Sequence, residues 1–263
     1  MRAWKSDLNP TLASPRIAPA LATITTLHVS TKYTDENLSW DAIIPLLLLP
    51  SLQTVTLLYL SHDDWTEDDQ SLLDSCQGRG FFTALNLVDC RVGLPVLKGI
   101  LSIPQSQTLK SLSWDIGVGT ESHGEIEGHD VVAALASTHE SLVSLDITLV
   151  ESDMYFQSTL NTSMRNFTAL KKLTLADMSY WLSEDDLEDL EESLPPHLAH
   201  LDICHAPWDT KDDMMEDVII VVVKSLPLLK ELHVGSNPVE SWPKELVDIC
   251  KDAGVSIAPS STW

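Results

Sequence analysis

Basic residues are scarce in this chain: 16 lysines and arginines stand against 39 aspartates and glutamates, a formal net charge of −23 over 263 residues. A surface so negative repels phosphate backbones, so no nucleic acid is expected as a partner, and a protein with a basic surface is. Cysteine is sparse too. Cys76, Cys90, Cys204 and Cys250 are far apart with no Cys-x-x-Cys pair, which argues against a zinc site or a disulfide framework and fits buried thiols in a reducing compartment. Long hydrophobic runs are missing. The apolar stretch at 46–49 is closed by Pro45 and Pro50, far short of the roughly 20 residues a membrane span needs. Residues 1–20 carry Arg2 and Lys5, but Pro10, Pro15 and Pro19 interrupt any apolar run of signal length. The expected location is therefore the cytoplasm or nucleus rather than the secretory route, and the Asn-x-Ser/Thr triplets at Asn37, Asn161 and Asn166 are not read as glycan acceptors.

Catalytic signatures are also wanting. There is no Gly-x-Ser-x-Gly elbow, and after Gly117-Val-Gly119 the third glycine of a dinucleotide loop is replaced by Ser122 with no Lys-Ser/Thr following. His62 beside Asp63 and Asp64 reads as a surface ion pair. The chain is expected to be no enzyme and to need no cofactor.

What the sequence does contain is a repeat. The pattern apolar-x-x-apolar-x-apolar occurs eight times: Ile24/Leu27/Val29, Leu52/Val55/Leu57, Phe82/Leu85/Leu87, Leu109/Leu112/Trp114, Leu142/Leu145/Ile147, Leu170/Leu173/Leu175, Leu198/Leu201/Ile203 and Leu229/Leu232/Val234. Successive copies are 28, 30, 27, 33, 28, 28 and 31 residues apart, the regularity of a stacked solenoid. Within each copy the last two apolar residues alternate with polar ones, as in Leu173-Thr-Leu175, which is the period of a strand. About two dozen residues separate the strands, enough for a crossover, so neighbouring strands are expected to run parallel.

The connecting segments carry helix signals. Thr66, Ser183 and Thr210 each stand as a hydroxyl N-cap before acids in the first turn, where side-chain oxygens satisfy free N–H groups and carboxylates complement the helix dipole. Capping and solvated helix faces then account for the acidic runs 63–69, 184–192 and 209–217. The β-branched run at 218–223 prefers a strand, yet the period demands a helix there, because the next strand is already supplied by 229–234. Near the end, residues 242–252 read as a helix with Ser241 as N-cap, Pro243 in its first turn and Gly254 as its stop, followed by a short strand at 255–257.

These motifs resemble those of leucine-rich repeat proteins of the longer, helix-containing type, the type of ribonuclease inhibitor and of fungal F-box proteins. Leu49-Pro-Ser-Leu52-Gln-Thr-Val55 and Leu226-Pro-Leu-Leu229-Lys-Glu-Leu232 carry the likeness, with a helix end, a proline and then a strand. The resemblance implies an α/β leucine-rich repeat horseshoe, with a parallel concave sheet and convex helices, over residues 21–263 in about eight repeats, preceded by an irregular segment or loop cap at 1–20. The chain departs from that pattern where an Asn or Cys commonly follows the strand: only Cys90 and Asn237 match it, and the ladder of buried asparagines is mostly absent. No F-box is visible in residues 1–20, so residues 1–263 are not expected to bind the SCF adaptor. The implied function is a non-enzymatic protein-interaction scaffold, in its finer form the substrate-recognition part of an F-box-type ubiquitin ligase receptor.

If the strands line such a sheet, the residue between the two strand leucines faces solvent. That column is His28, Thr56, Asn86, Ser113, Asp146, Thr174, Asp202 and His233, and it is the expected protein-binding surface. Beside it run Thr26, Thr54, Ala84, Ser111, Ser144, Lys172, His200 and Glu231. Trp40, Trp65, Trp181, Trp208 and Trp242 recur beyond strand ends as corner residues packed under loops. A glycine-rich insertion at 116–130 reads as a rim loop, and its His123, Glu125, His129 and Asp130 supply the alternative function, a metal-assisted hydrolase.

Overall fold

A computed structural model describes residues 21–30, 40–60, 66–90, 92–105, 107–116, 128–149, 164–175, 193–203, 214–235 and 242–260. Its centre is one sheet of nine strands in strict chain order: β1 (Thr26–Ser30), β2 (Thr54–Leu58), β3 (Ala84–Cys90), β4 (Ser111–Ile116), β5 (Ser144–Leu149), β6 (Lys172–Leu175), β7 (His200–Ile203), β8 (Glu231–Val234) and β9 (Ser256–Ala258). Every neighbouring pair is parallel. The eight motif copies supply β1–β8, and the short strand expected at 255–257 is β9, so the architecture is α/β and solenoid-like.

The backbone repeats as faithfully as the sequence. At the mouths of β1 to β7 one carbonyl accepts two N–H groups from the next repeat: Thr25 from Gln53 and Thr54, Gln53 from Thr83 and Ala84, Lys171 from Ala199 and His200, Ala199 from Lys230 and Glu231. This shared acceptor sets the lateral register before the strand begins. Each Leu or Val of the motif then falls opposite its counterpart, as in Leu145↔Leu173 and Leu173↔Leu201.

Helices lie in the crossovers: α1 (Trp40–Ile43), α2 (Glu67–Ser75), α3 (Leu94–Ser102), α4 (Gly128–Ala134), α5 (Met214–Ser225) and α6 (Lys244–Asp252), with 3-10 turns at Ile44–Leu48, Leu135–Thr138 and Met164–Asn166. Their apolar faces and the motif residues form a single buried cluster, so the core lies between the helices and one face of the sheet. From β2 to β8 all three motif positions are buried, and Ile24 and Leu27 in the first repeat are partly so. Burying one such side chain contributes about 1.5–3 kcal/mol, and the stack accumulates this linearly. Gly99 permits α3 to approach α2, since a Cβ there would stand 2.5 Å from Leu73 Cδ1.

Thr66 caps α2 in a complete capping box: its hydroxyl accepts from Asp69 N–H, and the Asp69 carboxylate accepts from Thr66 N–H at 3.0 Å. The β-branched run is helical within α5, where Val218, Ile219, Val222 and Val223 are buried on one face. Packing of that face outweighs the strand preference of its residues. Two expectations need correction. The last helix begins at Lys244 with Pro243 as N-cap, two residues later than read, because Pro243 takes an extended backbone (ψ 133°) and so stands just outside the helix. Helix α4 begins at Gly128, inside the segment read as a rim loop. The N-caps proposed at Ser183 and Thr210, the runs 184–192 and 209–213, and the segment 1–20 lie outside the described residues.

Two strands carry a sharp reversal near their ends. Tyr59 (φ 57°), just past β2, and Asp89 (φ 48°), within the irregular end of β3, adopt the left-handed conformation, and the next residues, Leu60 and Cys90, are buried. The Cys90 thiol donates to the Leu57 carbonyl of the preceding repeat at 3.2 Å. It thereby ties one repeat to the next, and burial pushes its pKa from 9.0 up to about 11.

Candidate functional site

Because side chains alternate along a strand, the residues between the core positions project from the opposite face of the sheet. Register brings the predicted column together without a break: His28↔Thr56↔Asn86↔Ser113↔Asp146↔Thr174↔Asp202↔His233. The flanking column from Thr26 to Glu231 is likewise continuous. His28 is exposed, and Thr56, Asn86, Ser113, Asp146 and His233 are partly exposed. Thr174 and Asp202 are buried instead, 1% and 5% exposed, which corrects the expectation that the whole column faces solvent. As a pair, their register neighbours are Asp146 on one side and His233 on the other.

The two ends of this face differ in chemistry. Over β2 and β3 the polar groups satisfy one another, with Asn86 Nδ2 donating to Thr56 Oγ1 at 3.2 Å. Over β4 and β5 carboxylates accumulate. Burial raises the pKa of Asp146, Lys172 opposes that shift, and the negative charges of Asp202 and Asp115 add to it. One carboxyl oxygen of Asp146, Oδ1, is buried without a hydrogen-bond partner. Asp115 is raised as well, chiefly by burial, while a backbone N–H of Asp89 and the Thr148 hydroxyl donate to it and hold it down.

Over β7 and β8 four ionisable side chains make a square. His200 stands opposite Glu231, and Asp202 stands opposite His233. His200 Nδ1 is 2.8 Å from Glu231 Oε2, and His233 Nδ1 is 3.6 Å from Asp202 Oδ2, in ion-pair range but beyond a hydrogen bond. The two imidazoles meet edge to face with centroids 4.7 Å apart. The hydrogen bond from His200, helped by its charge, holds the Glu231 carboxyl below the usual carboxylate range. One atom from each of His200, Glu231 and His233 lies within 4.8 Å of the others, which is within reach of a metal ion.

Sequence reasoning placed these four residues in two columns without reading them as a unit. The available signal was His200-Leu-Asp202 set against Glu231-Leu-His233 at matching positions of consecutive repeats. Of the loop quartet in the alternative reading, His123 and Glu125 lie outside the described residues, and only the backbone of His129 and Asp130 is described, in α4. His62, Trp65, Trp181, Trp208, Cys204 and Asn237 also lie outside them. Trp40 and Trp242 are buried, as expected of corner residues.

A cleft of about 540 Å³ opens at the other end of the strands, among Gln77, Ser102, Gln105, Ser137 and Thr138. Amides, hydroxyls and the apolar Leu101, Pro104 and Leu109 line it, and among the described residues no acid, base or cation does. No family model matches the chain, and no curated protein does. Among the described residues, no helix is long and apolar enough to cross a membrane.

Proposed function

We propose that the chain is a leucine-rich repeat protein, a horseshoe whose open sheet face holds a protein partner and which performs no chemistry of its own. The observation that carries this reading is the unbroken polar column from His28 to His233, presented by parallel strands whose opposite face is fully occupied by the core. Rigid strands hold polar groups at a fixed spacing, so little ordering entropy is lost when a partner docks. The Cys90 thiol reaching back to Leu57 supports the repeat type. With a net charge of −23 the chain attracts a basic partner surface, and complementary charge raises the on-rate. In the finer form of the proposal, drawn from the likeness to fungal F-box proteins, that partner is a substrate presented for ubiquitylation.

The test compares two faces. Thr56→Arg with Ser113→Arg alters the open face, and Asp74→Arg with Lys98→Glu alters exposed positions of α2 and α3. Partners captured by the parent chain are expected to be lost from the first variant and kept by the second. Loss from the helix variant alone would place the interface on the opposite side and overturn the reading.

A further inference from the structure

We propose that His200, Glu231 and His233 form a site for a divalent transition-metal ion of the zinc class, with Asp202 as the carboxylate that orients His233. The site does not rest on the interaction reading above. Its donors come from two adjacent strands: Glu231 and His233 alternate onto one face of β8, and His200 faces Glu231 from β7. Both strands are pinned at their mouths, His200 N–H by the Lys171 carbonyl and Glu231 N–H by the Ala199 carbonyl. No loop has to close around the ion.

The distances suit a small adjustment. Tetrahedral zinc with ligands at about 2.0–2.1 Å sets its donor atoms roughly 3.3 Å apart. Here the donor atoms already lie within 4.8 Å, and His200 Nδ1 and Glu231 Oε2 are 2.8 Å apart. Rotation of the exposed Glu231 side chain and of the partly buried imidazoles covers the remainder. The proton held between His200 and Glu231 leaves to solvent as the ion takes its place, so loading releases protons.

His233 shows the arrangement that metal-binding imidazoles adopt. Its Nδ1 is buried, has no hydrogen-bond partner and lies 3.6 Å from Asp202 Oδ2, itself buried. A short closure lets Nδ1–H donate to that carboxylate, which fixes the tautomer and leaves the other ring nitrogen as a lone-pair donor. Glu231 and Asp202 together balance the charge of a divalent ion, while Lys172 lies near enough to influence Glu231 and opposes it. Two imidazoles and one carboxylate select zinc, cobalt or nickel over calcium and magnesium, which take oxygen donors. The fourth position opens to solvent on the side of the exposed Glu231, where water or a partner's side chain completes the shell.

The experiment uses the full chain, stripped with chelator and titrated with zinc by calorimetry and with cobalt(II) by visible absorption. One ion per chain is expected, with a four-coordinate nitrogen/oxygen cobalt spectrum that lacks a thiolate charge-transfer band. His200→Ala and His233→Ala should each weaken zinc binding at least about 100-fold, and Asp202→Asn about 10–100-fold. Glu231→Gln, at an exposed position, leaves folding intact and should also weaken binding. Melting curves of the stripped variants check that all remain folded. Absence of zinc binding, tighter binding of calcium, a thiolate band, or binding that survives His200→Ala with His233→Ala but is lost in His123→Ala with His129→Ala would each overturn the proposal.

Discussion

Strands β1–β4 and β5–β8 share one core and one register, yet their open faces are built on different principles. In the first half the central column is His28, Thr56, Asn86 and Ser113, and Asn86 and Thr56 satisfy each other. In the second half it is Asp146, Thr174, Asp202 and His233, with His200, Glu231 and Lys172 alongside. Charges that close, partly removed from water, raise or lower one another's proton affinity. The repeat therefore specifies where a side chain stands and leaves its chemistry free. The central column is quiet over β1–β4 and electrostatically loaded over β5–β8, with Asp115 of β4 standing beside the boundary.

The largest effect should be blind to this division. Leu85→Asp in β3 and Leu173→Asp in β6 each bury an unpaired carboxylate, a cost of several kcal/mol against a net stability of about 5–15. Both are expected to abolish cooperative folding by circular dichroism, and a parent-like melt from either would break the shared-core half of the comparison. Next comes Cys90, whose thiol rises from 9.0 to about 11 because it is buried. The unfolded chain loses this proton first, so stability should fall as pH climbs from about 9 to about 11, by roughly 2–3 kcal/mol. Cys90→Ala should flatten that alkaline limb in denaturant titrations, and at neutral pH the folded chain should resist alkylation at this position.

The two halves should then respond in opposite directions to loss of a polar group. Asp146 has its pKa raised by burial, so its folded form holds the proton more tightly than its unfolded form. Its contribution is fully present below the unfolded value of about 3.9 and is lost as pH rises through the folded pKa. Asp146→Asn is accordingly expected to raise the melting temperature at pH 7 and to leave it unchanged at strongly acid pH. Asn86→Ala in the quiet half removes a satisfied bond and should cost about 0.5–1.5 kcal/mol at either pH. If Asn86→Ala stabilised and Asp146→Asn did not, the contrast between the halves would be reversed.

Much of the fold was legible because its determinants are local. Leucine spacing marked β1–β8, Val255 and Ile257 marked β9, and Thr66 with Asp69 marked the start of α2. The run at 218–223 was legible only through the period, because residue preferences there favour a strand and yield to the packing of Val218, Ile219, Val222 and Val223. The start of α6 was misread by two residues, since the ring of Pro243 fixes φ but leaves ψ free, and here ψ is extended. The columns were legible for the same reason as the strands, alternation with period two. The square of His200, Asp202, Glu231 and His233 was not, because it exists only once residues 31 apart are laid side by side. The burial of Thr174 and Asp202 is likewise a tertiary fact that the period-two pattern does not carry.

The shared carbonyls at the strand mouths and the rungs between strands all point along the line from β1 to β9, since the strands are stacked in chain order. A tension applied between those two edges runs parallel to the hydrogen bonds and at right angles to the strands. Every strand pair in that series carries the whole load and none shares it with a neighbour, so the weakest pair yields first and the molecule opens one strand after another. Its force–extension trace would be a series of low, evenly spaced teeth, each releasing a length set by one repeat of 27–33 residues. A sheet held together so regularly against heat is, along that one axis, mechanically soft.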